Sequence, residues 1–471
     1  MNANRVAPTL LAVLVSTTGG LLINLNGCAS SSFTSPGVPS PAGRFQHIVI
    51  IFQENRSTDN LFHDPVLMAR GAEIANSGMN SHGQTIPLTP VPLGVSYDIN
   101  HSHEAFVRMY DNGKMDGANL IETSCQPNCP VPNPQFHYVE PSEVAPYFQL
   151  AEQYTFGDRM FQTNEGPSFP AHQFIIAGTS APSPNSNLLA VENGEGVSPL
   201  LSSGETGCLS PPTEFVRMID PSGNESTRMY PCFEHATLMD ELKQKGISWR
   251  YYTPSAGSLW TGPNAIQHLC GPNVPPPNAT ACVGHDWTSN VVIPETGVLT
   301  DIASGNLAQV SWVIPSGANS DHPRSGNGGP SWVAAIVNAL GNSSYWSNTA
   351  IIIAWDDWGG WYDHVPPPTL SNNGSWGSGY VYGFRVPLIV VSPFAKPGYI
   401  SHATHDFGSI LNLVEKTFGL PSLGYADSRA DDLSDCFDFN QSPIPFTPIA
   451  APMKADFFLH DPRPRTDPDD D

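Results

Sequence analysis

The sequence predicts an α/β fold whose central sheet is mostly parallel and carries helices on both faces. Two apolar runs, 45–52 and 351–355, are rich in β-branched residues and lack the polar–apolar alternation of a half-exposed strand. Such runs are typical of strands buried on both sides. Similar runs at 247–252, 307–314 and 384–392 are separated from these by helical patterns. Strands that alternate with helices indicate a parallel sheet covered on both faces.

Helices are predicted where apolar residues recur at helical spacing between start and stop signals. The predicted segments are 101–110, 143–156, 171–177, 237–245, 330–340 and 409–418. Ser168 lies just before the segment that ends at Gly178, where a serine commonly caps a helix N-terminus. Residues 181–232 are polar and rich in turn residues, which predicts a surface insertion.

The N-terminus has the pattern of an export signal. A single basic residue, Arg5, precedes the apolar runs 10–15 and 21–25. The sequence Leu-Asn-Gly-Cys that ends at Cys28 is similar to the bacterial lipobox, in which the cysteine becomes a lipidated N-terminus after cleavage. We therefore predict an exported protein that is lipid-anchored at the cell envelope through Cys28. The alternative is plain secretion, with cleavage near Ala29.

Four segments are predicted along the chain. Residues 1–28 are the signal, and residues 29–43, which are rich in serine, proline and glycine, are a tether. Residues 44–425 form the main domain, and residues 426–471 are an acidic, proline-rich C-terminal segment. After the signal, the sequence contains no run of about 18 consecutive apolar residues, which is the length needed to span a membrane.

The charge balance excludes one class of partner. The chain has 43 Asp and Glu against 20 Lys and Arg, which gives a formal net charge of −23. A field of this sign repels nucleic acid and anionic membrane surfaces. We therefore predict no nucleic-acid partner, and membrane contact only through the lipid anchor. Chemistry on phosphate would need local positive charge, such as a metal ion.

Cysteine spacing predicts three disulfides, which exported proteins commonly carry. The pairs with short spacing are Cys125–Cys129, Cys208–Cys232 and Cys270–Cys282. Cys436 is left over once Cys28 is set aside as the lipidated residue. Because connectivity does not follow from sequence alone, this pairing is a hypothesis. A zinc site is not expected, because the cysteines lack paired CxxC spacing.

Two of the predicted strands end in clusters of oxygen-bearing side chains. Glu54 and Asn55 follow the first strand, and the strand at 351–355 leads into Asp356, Asp357 and a Gly-Gly turn. Ligands gather at the carboxyl ends of strands in open α/β sheets. Carboxylates there are costly to bury unpaired, which favours a bound cation. The alternative is a simple turn, in which aspartates bond neighbouring backbone N–H groups.

Four motifs carry a resemblance to a known family. In chain order they are Glu54-Asn55-Arg56-Ser57, Gly166-Pro167-Ser168, Asp321-His322-Pro323 and the stretch from Asp356 to Pro368. Over roughly residues 45–425 the chain resembles the bacterial phosphoesterase family, which includes phosphatidylcholine-type phospholipases C and a group of acid phosphatases. That family is a branch of the alkaline phosphatase-like superfamily, so the resemblance implies an alkaline phosphatase-like core.

The resemblance implies one divalent metal ion held by oxygen atoms. The implied ligands are Glu54, Asn55, Asp356, Asp357 and the hydroxyl of Ser168. Oxygen ligands favour a hard cation, and a dication beside Ser168 would make its hydroxyl a nucleophile near neutral pH. Asp363 and His364 are implied to support the metal loop from outside the ligand set.

Histidines are implied on the phosphate side of the site. His322 and His101 match family positions where an imidazole would hold phosphate oxygens or protonate the leaving alkoxide. The neighbouring His103 is the alternative to His101. Family members often carry Pro-Asn-Arg after the nucleophile, whereas this chain has Pro-Ala-His172. His172 is therefore a candidate to replace that arginine.

The implied function is hydrolysis of phosphate esters by an exported, metal-dependent enzyme of the phospholipase C or acid phosphatase type. Ser168 would attack phosphorus and form a phosphoseryl intermediate, which water then releases. Whether the substrate is a phospholipid or a small phosphomonoester stays open. The alternative from another class is a non-catalytic surface lipoprotein that binds a phosphorylated ligand on the same fold.

Overall fold

The computed structural model describes residues 42–195, 206–324, 326–369 and 382–465. The predicted signal, its Cys28 and most of the tether lie outside these residues, as do the last residues of the C-terminal segment. Among the helices that the structure describes, none combines the length and apolar character needed to span a bilayer.

The strands are β1 (His47–Gln53), β2 (Ser77–Met79), β3 (Thr85–Pro87), β4 (Thr89–Val91), β5 (His137–Val139), β6 (Thr155–Gly157), β7 (Leu189–Ala190), β8 (Val216–Ile219), β9 (Thr227–Met229), β10 (Trp249–Tyr252), β11 (Val291–Val292), β12 (Val310–Val313), β13 (Thr349–Trp355), β14 (Leu388–Val391) and β15 (Tyr399–Ser401). The helices are α1 (Thr58–Leu61), α2 (Pro65–Ala69), α3 (His103–Tyr110), α4 (Ala145–Gln153), α5 (Ser168–Ala177), α6 (Leu238–Lys245), α7 (Gln267–Cys270), α8 (His285–Asn290), α9 (Gly297–Ser304), α10 (Gly329–Gly341), α11 (Phe407–Phe418) and α12 (Ala455–Leu459).

A large mixed sheet forms the centre of the described fold. Its eight strands run in the order β11-β10-β12-β1-β13-β14-β6-β15. β1 lies between β12 and β13 and is parallel to both. β14 is antiparallel to its two neighbours, β13 and β6, whereas the remaining pairs are parallel. The prediction of a mostly parallel sheet is confirmed.

Helices cover both faces of this sheet. Successive side chains of a strand point to opposite faces, so Phe52 and Gln53 of β1 lie on different sides. Phe52 contacts Phe407 of α11, with ring centroids 5.6 Å apart. Trp355 is the register partner of Gln53 and contacts Tyr147 of α4 at 5.0 Å. α11 and α4 therefore pack on opposite faces, which confirms the predicted layering.

The burial of the two central strands explains their unbroken apolar sequences. Every residue of β13 is buried, and in β1 only His47 is partly accessible. Because both faces are covered, neither strand has a wet side that would require polar residues at alternate positions.

The prediction that residues 181–232 are a surface insertion is wrong in one respect. The described part of this segment forms a three-stranded antiparallel sheet of β7, β8 and β9. Val216 and Met218 of β8 are fully buried in the main core. The three strands are each four residues or shorter, and strands this short leave too few alternating positions to stand out from turn-rich sequence.

The predicted disulfides are confirmed. The structure contains Cys125–Cys129, Cys208–Cys232 and Cys270–Cys282, and it leaves Cys436 reduced and buried. Such bridges are typical of proteins that fold outside a reducing cytoplasm. The C-terminal segment packs on the domain, because Phe458 of α12 contacts Trp332 of α10 with centroids 5.2 Å apart.

Candidate active site

The loops after β1 and β13 meet at one edge of the sheet. The two strands are adjacent and parallel, so their carboxyl ends lie side by side. The backbone N–H of Asp356 donates to the Gln53 carbonyl at 3.0 Å, and that of Arg56 donates to the Asp357 carbonyl at 2.9 Å. These bonds extend the strand pairing into the loops, which brings Glu54 and Asn55 beside the two aspartates.

The two loops pass so close to each other that two residues adopt left-handed backbone conformations. Asn55 has φ 60°, the left-handed region that asparagine tolerates better than most residues. Gly359 has φ 62°, and a Cβ there would lie 2.3 Å from the Asn55 carbonyl oxygen. The first glycine of the Gly-Gly turn is therefore required by the close approach of the first loop.

The four predicted oxygen ligands are completely buried. They are Glu54, Asn55, Asp356 and Asp357. Asp356 Oδ1 accepts from the backbone N–H of Asn55 at 3.1 Å and of Asp357 at 2.7 Å. Asp356 Oδ2 and Asn55 Oδ1 have no hydrogen-bond partner among the described residues. Buried oxygens of this kind cost free energy unless something positive faces them, so the donor set fits a bound cation.

Ser168 is the first residue of α5, and Pro167 occupies the capping position. The Ser168 hydroxyl donates to Asp357 Oδ2 at 3.0 Å. The prediction that Ser168 serves as the helix cap is therefore wrong, because its oxygen faces the aspartate loop instead of the helix N–H groups. The structure brings the predicted nucleophile into direct contact with a predicted metal ligand.

His172 lies one helical turn after Ser168, on the same face of α5. Its Nε2 is 3.5 Å from Glu54 Oε1 and 3.7 Å from Asp356 Oδ2. The ligand atoms of these three residues all lie within 4.8 Å of one another, so together they could hold a metal ion. The sequence suggested a phosphate contact for His172, whereas the structure places it against the carboxylates.

His101, and not His103, contacts the ligand loops. His101 Nε2 lies 3.1 Å from Asn55 Nδ2, and its Nδ1 lies 2.8 Å from the Ile99 carbonyl oxygen. Because a carbonyl only accepts, Nδ1 carries the hydrogen and Nε2 accepts from the amide. His103 points elsewhere, with Glu165 at 3.1 Å and Glu225 at 2.7 Å.

His322 completes the ring of polar groups. Its Nδ1 lies 2.7 Å from the Pro323 carbonyl oxygen, so Nε2 is the nitrogen that can serve a substrate. The ring is 6.3 Å from that of His101 and 6.2 Å from that of Trp260, centroid to centroid. Asp98 Oδ2 lies 3.9 Å from His322 Nε2.

Asp321 anchors the loop that presents His322. Its Oδ2 accepts from the Tyr147 hydroxyl at 2.8 Å and from Trp355 Nε1 at 3.0 Å. Burial raises the pKa of this carboxyl to about 6. The Asp-His-Pro motif was noticed in the sequence, but this supporting role was not, because both partners lie far away along the chain.

A cleft of about 410 Å³ opens beside these residues. Its lining includes Asp98, His101, Glu122, Pro167 and Glu192. The cleft therefore reaches the residue before Ser168 and the imidazole that contacts Asn55, and its lining includes three acidic residues. Sequence reasoning assigned no role to Asp98, Glu192 or Trp260, which carry no motif of their own.

Comparison with known proteins agrees with this geometry. The sequence profile of the Phosphoesterase family matches residues 45–421. The chain belongs to the phosphoesterase family. The resemblance predicted from the four motifs is thus confirmed, as is the prediction of a hydrolase acting on phosphoester bonds.

Several curated members of the family are similar along most of this chain. Phospholipase C B of Mycobacterium tuberculosis is 25% identical over 92% of this chain and 85% of its own length. The hemolytic phospholipase C of Pseudomonas aeruginosa is 25% identical over 84% of this chain and 56% of its own length. A solved Vibrio parahaemolyticus protein of the alkaline phosphatase superfamily aligns with 83% of this chain and 71% of its own, at 11% identity and a TM-score of 0.34.

A cluster of ionisable groups around His103 adjoins the cleft through Glu192, which is one of the lining residues. Burial lowers the pKa of His103, but hydrogen bonds to Glu165 and Glu225 outweigh it and raise the pKa to about 9. Burial raises the pKa of Glu192 to about 7, against the attraction of His103. The Glu192 carboxylate also accepts from the His103 backbone N–H at 3.1 Å.

The contribution of His103 and Glu192 to the free energy of unfolding should fall as pH rises from about 5 to 9. The His103 contribution is complete below the ordinary pKa of 6.5 and is lost as pH rises through 9. Ionising Glu192 costs free energy progressively between its ordinary pKa of 4.5 and about 7. Glu192→Gln should therefore gain stability over the parent chain, by up to about 3 kcal/mol, as pH rises through this window. Denaturant unfolding of both proteins at pH 4.5 and pH 8 measures this gain. A difference in unfolding free energy that is the same at both pH values would contradict the prediction.

Asp363 and His364 lie outside the predicted ligand set and pack against α1. Asp363 receives two bonds from Arg385, Nε to Oδ1 at 2.8 Å and Nη2 to Oδ2 at 3.0 Å. Arg385 Nη2 also donates to Asp59 Oδ1 at 3.1 Å, and His364 Nδ1 lies 2.7 Å from Asp59 Oδ2. α1 begins shortly after the Glu54–Asn55 pair. The predicted supporting role of Asp363 and His364 stays a prediction that this arrangement is suited to fulfil.

Arg385→Met should destabilise the fold by about 3–5 kcal/mol, because it leaves two fully buried carboxylates without their cation. Methionine preserves much of the side-chain volume, so the loss reports the charge and its hydrogen bonds. The matched control is Arg217→Met, which removes the partly exposed pair with Glu195 and should cost about 0–1 kcal/mol. Equal losses of unfolding free energy in the two variants, measured by urea unfolding, would contradict the prediction that the buried Arg385 cluster contributes more than a partly exposed ion pair.

Proposed function

We propose that this chain is an exported, metal-dependent phosphoesterase in which Ser168 is the nucleophile and a phosphoseryl enzyme is the intermediate. One observation carries the proposal. The Ser168 hydroxyl donates to Asp357 at 3.0 Å, in a buried pocket where Glu54 and Asp356 also converge. Three carboxylates buried together are stable only with a compensating positive charge.

The residues that would hold the cation are Glu54, Asn55, Asp356, Asp357 and Ser168. When bound, the cation would stabilise the Ser168 alkoxide and the charge that develops on the phosphate oxygens. Asn55 is oriented for this role by His101, because the amide donates through Nδ2 to the imidazole and leaves Oδ1 facing the pocket.

The reaction proceeds in two displacements. Ser168 Oγ forms a bond to phosphorus while its proton leaves along the hydrogen bond to Asp357. The bond from phosphorus to the substrate alcohol breaks, and protonated His322 gives its Nε2 proton to the departing alkoxide. Water then attacks phosphorus and gives a proton to the now neutral His322 Nε2. The bond from phosphorus to Ser168 Oγ breaks, and Ser168 recovers its proton from Asp357 as the phosphate product leaves. His101 keeps Nε2 as the acceptor for the Asn55 amide, so its role in this mechanism is to position Asn55.

The proposed substrate is a phosphodiester of the glycerophospholipid type. Two lines of support favour it over a phosphomonoester. The curated relatives named above are phospholipases C. The cleft lining carries Asp98 and Glu122, and these acids oppose the second negative charge of a monoester more strongly than the single charge of a diester. A phosphomonoesterase of the same mechanism is the competing outcome.

The test compares phosphatidylcholine vesicles with a chromogenic phosphomonoester, across pH and with or without a chelator. The proposal expects chelator-sensitive release of a phosphorylated headgroup, restored by adding back a divalent metal ion. Faster turnover of the monoester would reassign the substrate and keep the mechanism. Binding of phosphorylated ligands with no turnover of either substrate would favour the non-catalytic surface lipoprotein.

Export and lipid anchoring are part of the proposal. The three disulfides support an oxidising destination, and the lipobox-like sequence supports acylation at Cys28. If the anchor exists, Cys28→Ala should release the protein from the membrane fraction with its activity unchanged. A parent chain that is already free of membranes would leave secretion as the correct destination.

A further inference from the structure

α5 presents two functional side chains to the buried pocket, one turn apart. Ser168 and His172 are separated by four residues, which places them one above the other on the same helical face. Ser168 contacts Asp357, whereas His172 faces Glu54 and Asp356. Side chains of α5 therefore lie against both ligand loops, the one that contains Glu54 and the one that contains Asp356 and Asp357.

The distances from His172 Nε2 to the two carboxylate oxygens can be compared with those of hydrogen bonds and of metal ligands. Nε2 lies 3.5 Å from Glu54 Oε1 and 3.7 Å from Asp356 Oδ2. An N–H···O hydrogen bond spans about 2.7–3.2 Å, so both separations are too long for one. Two ligands that each bind one metal ion at about 2.0–2.2 Å stand about 3–3.6 Å apart. The two separations from Nε2 are therefore close to those of neighbouring ligands on one cation, and all three ligand atoms lie within 4.8 Å of one another.

The surroundings hold the imidazole in this orientation. His172, Glu54 and Asp356 have no accessible surface. The imidazole lies nearly parallel to the Trp260 ring, with an interplanar angle of 17° and centroids 6.5 Å apart. The helix backbone at His172 is also tightly packed, because a Cβ on Gly262 would lie 2.7 Å from the His172 carbonyl oxygen. A ring confined in this way is pre-organised as a ligand.

We propose that His172 Nε2 is a direct ligand of the metal ion, in the place where family members often carry an arginine. This inference rests on the proposed function, because it needs a cation between Glu54 and Asp356. It replaces an all-oxygen site by a mixed nitrogen and oxygen site. Imidazole suits zinc, iron, copper and nickel, whereas magnesium, calcium and manganese prefer oxygen ligands. His172 therefore biases this chain toward a transition metal.

The direct test is pulsed electron paramagnetic resonance of the manganese-loaded full chain. A coordinated imidazole gives a ¹⁴N coupling to Mn²⁺, and we expect this coupling in the parent protein. His172→Gln should abolish it, whereas His322→Gln should retain it, because His322 lies on the phosphate side. Absence of ¹⁴N coupling in the parent protein would overturn the inference without reliance on any variant.

Metal selectivity provides a second readout that does not depend on turnover. Competition titrations should show that His172→Gln loses at least tenfold in affinity for Zn²⁺ but changes little for Mg²⁺. Circular dichroism and unfolding of each variant confirm that the fold is intact, and His172→Asn serves as a second substitution if glutamine disturbs it. Equal losses of affinity for Zn²⁺ and Mg²⁺ would also count against ligation by nitrogen.

The failure of the inference is distinguishable from the failure of the proposed function. If the parent protein binds no divalent metal at the Glu54–Asp356 pocket, the proposed function itself fails. If the parent binds metal and Asp356→Asn loses it, but the His172 variants keep the affinity and the selectivity of the parent, then only the His172 assignment is wrong.

Discussion

Ser168→Ala is expected to lower turnover of any phosphate ester by on the order of 10⁴-fold or more, because it removes the oxygen that bonds to phosphorus. The fold should survive. The variant loses one hydrogen bond to Asp357, which costs about 1–2 kcal/mol of unfolding free energy. Steady-state kinetics on the preferred substrate, together with urea unfolding, measures both quantities on one preparation.

The matched control is Ser180→Ala. Ser180 is also a fully buried serine, and its hydroxyl donates to the Ala190 carbonyl at 2.9 Å, away from the ligand loops. Ser180→Ala should lower the free energy of unfolding about as much as Ser168→Ala does, and it should leave turnover within a few-fold of the parent. If Ser168→Ala retained full activity, Ser168 would not be the nucleophile, and the account would need another acceptor for the phosphoryl group.

Asp356→Asn should remove both the metal and the activity. The substitution keeps the size of the side chain and its two backbone hydrogen bonds at Oδ1, but it removes the negative charge from the oxygen that faces His172. We expect metal affinity to fall by at least about 100-fold, because even residues outside the ligand set change affinity by about 10–100-fold. Equilibrium dialysis followed by metal analysis gives the affinity directly.

Asp220→Asn is the control for this substitution. Asp220 lies in an exposed turn and bonds only local groups, among them the backbone N–H of Ser222 and of Asn224. It should leave metal content and turnover unchanged. Stoichiometric, undiminished metal in the Asp356→Asn protein would remove Asp356 from the ligand set, whatever the effect on activity.

The sequence predicted the parts of the site that contiguous motifs encode. Glu54–Asn55 and Asp356–Asp357 each follow a strand with an unbroken apolar pattern, and parallel strands bring such loops to one edge. Both loops were therefore expected at the same edge of the sheet, and the pairing of β1 with β13 places them side by side. The choice between His101 and His103 did not, because the two are separated by one residue. α3 begins at His103, so only the coordinates reveal which imidazole turns toward Asn55.

Other features depended on packing that no local pattern encodes. The contact of His172 with two carboxylates depends on how α5 sits over the loops, which is a property of the whole core. The Arg385 cluster joins residues more than three hundred positions apart. The short strands of the 181–232 segment left no clear periodicity, so the contacts of this segment with His103, through Glu192 and Glu225, were visible only in the fold.

The most direct test of the central claim is to trap the covalent intermediate. The parent protein is mixed with substrate carrying ³²P in the phosphoryl group and quenched in acid within the first turnover, and its peptides are then mapped. The account predicts acid-stable label on the peptide that contains Ser168, and none in the Ser168→Ala protein. Label on a histidine or another serine, in a protein that turns over normally, would contradict it.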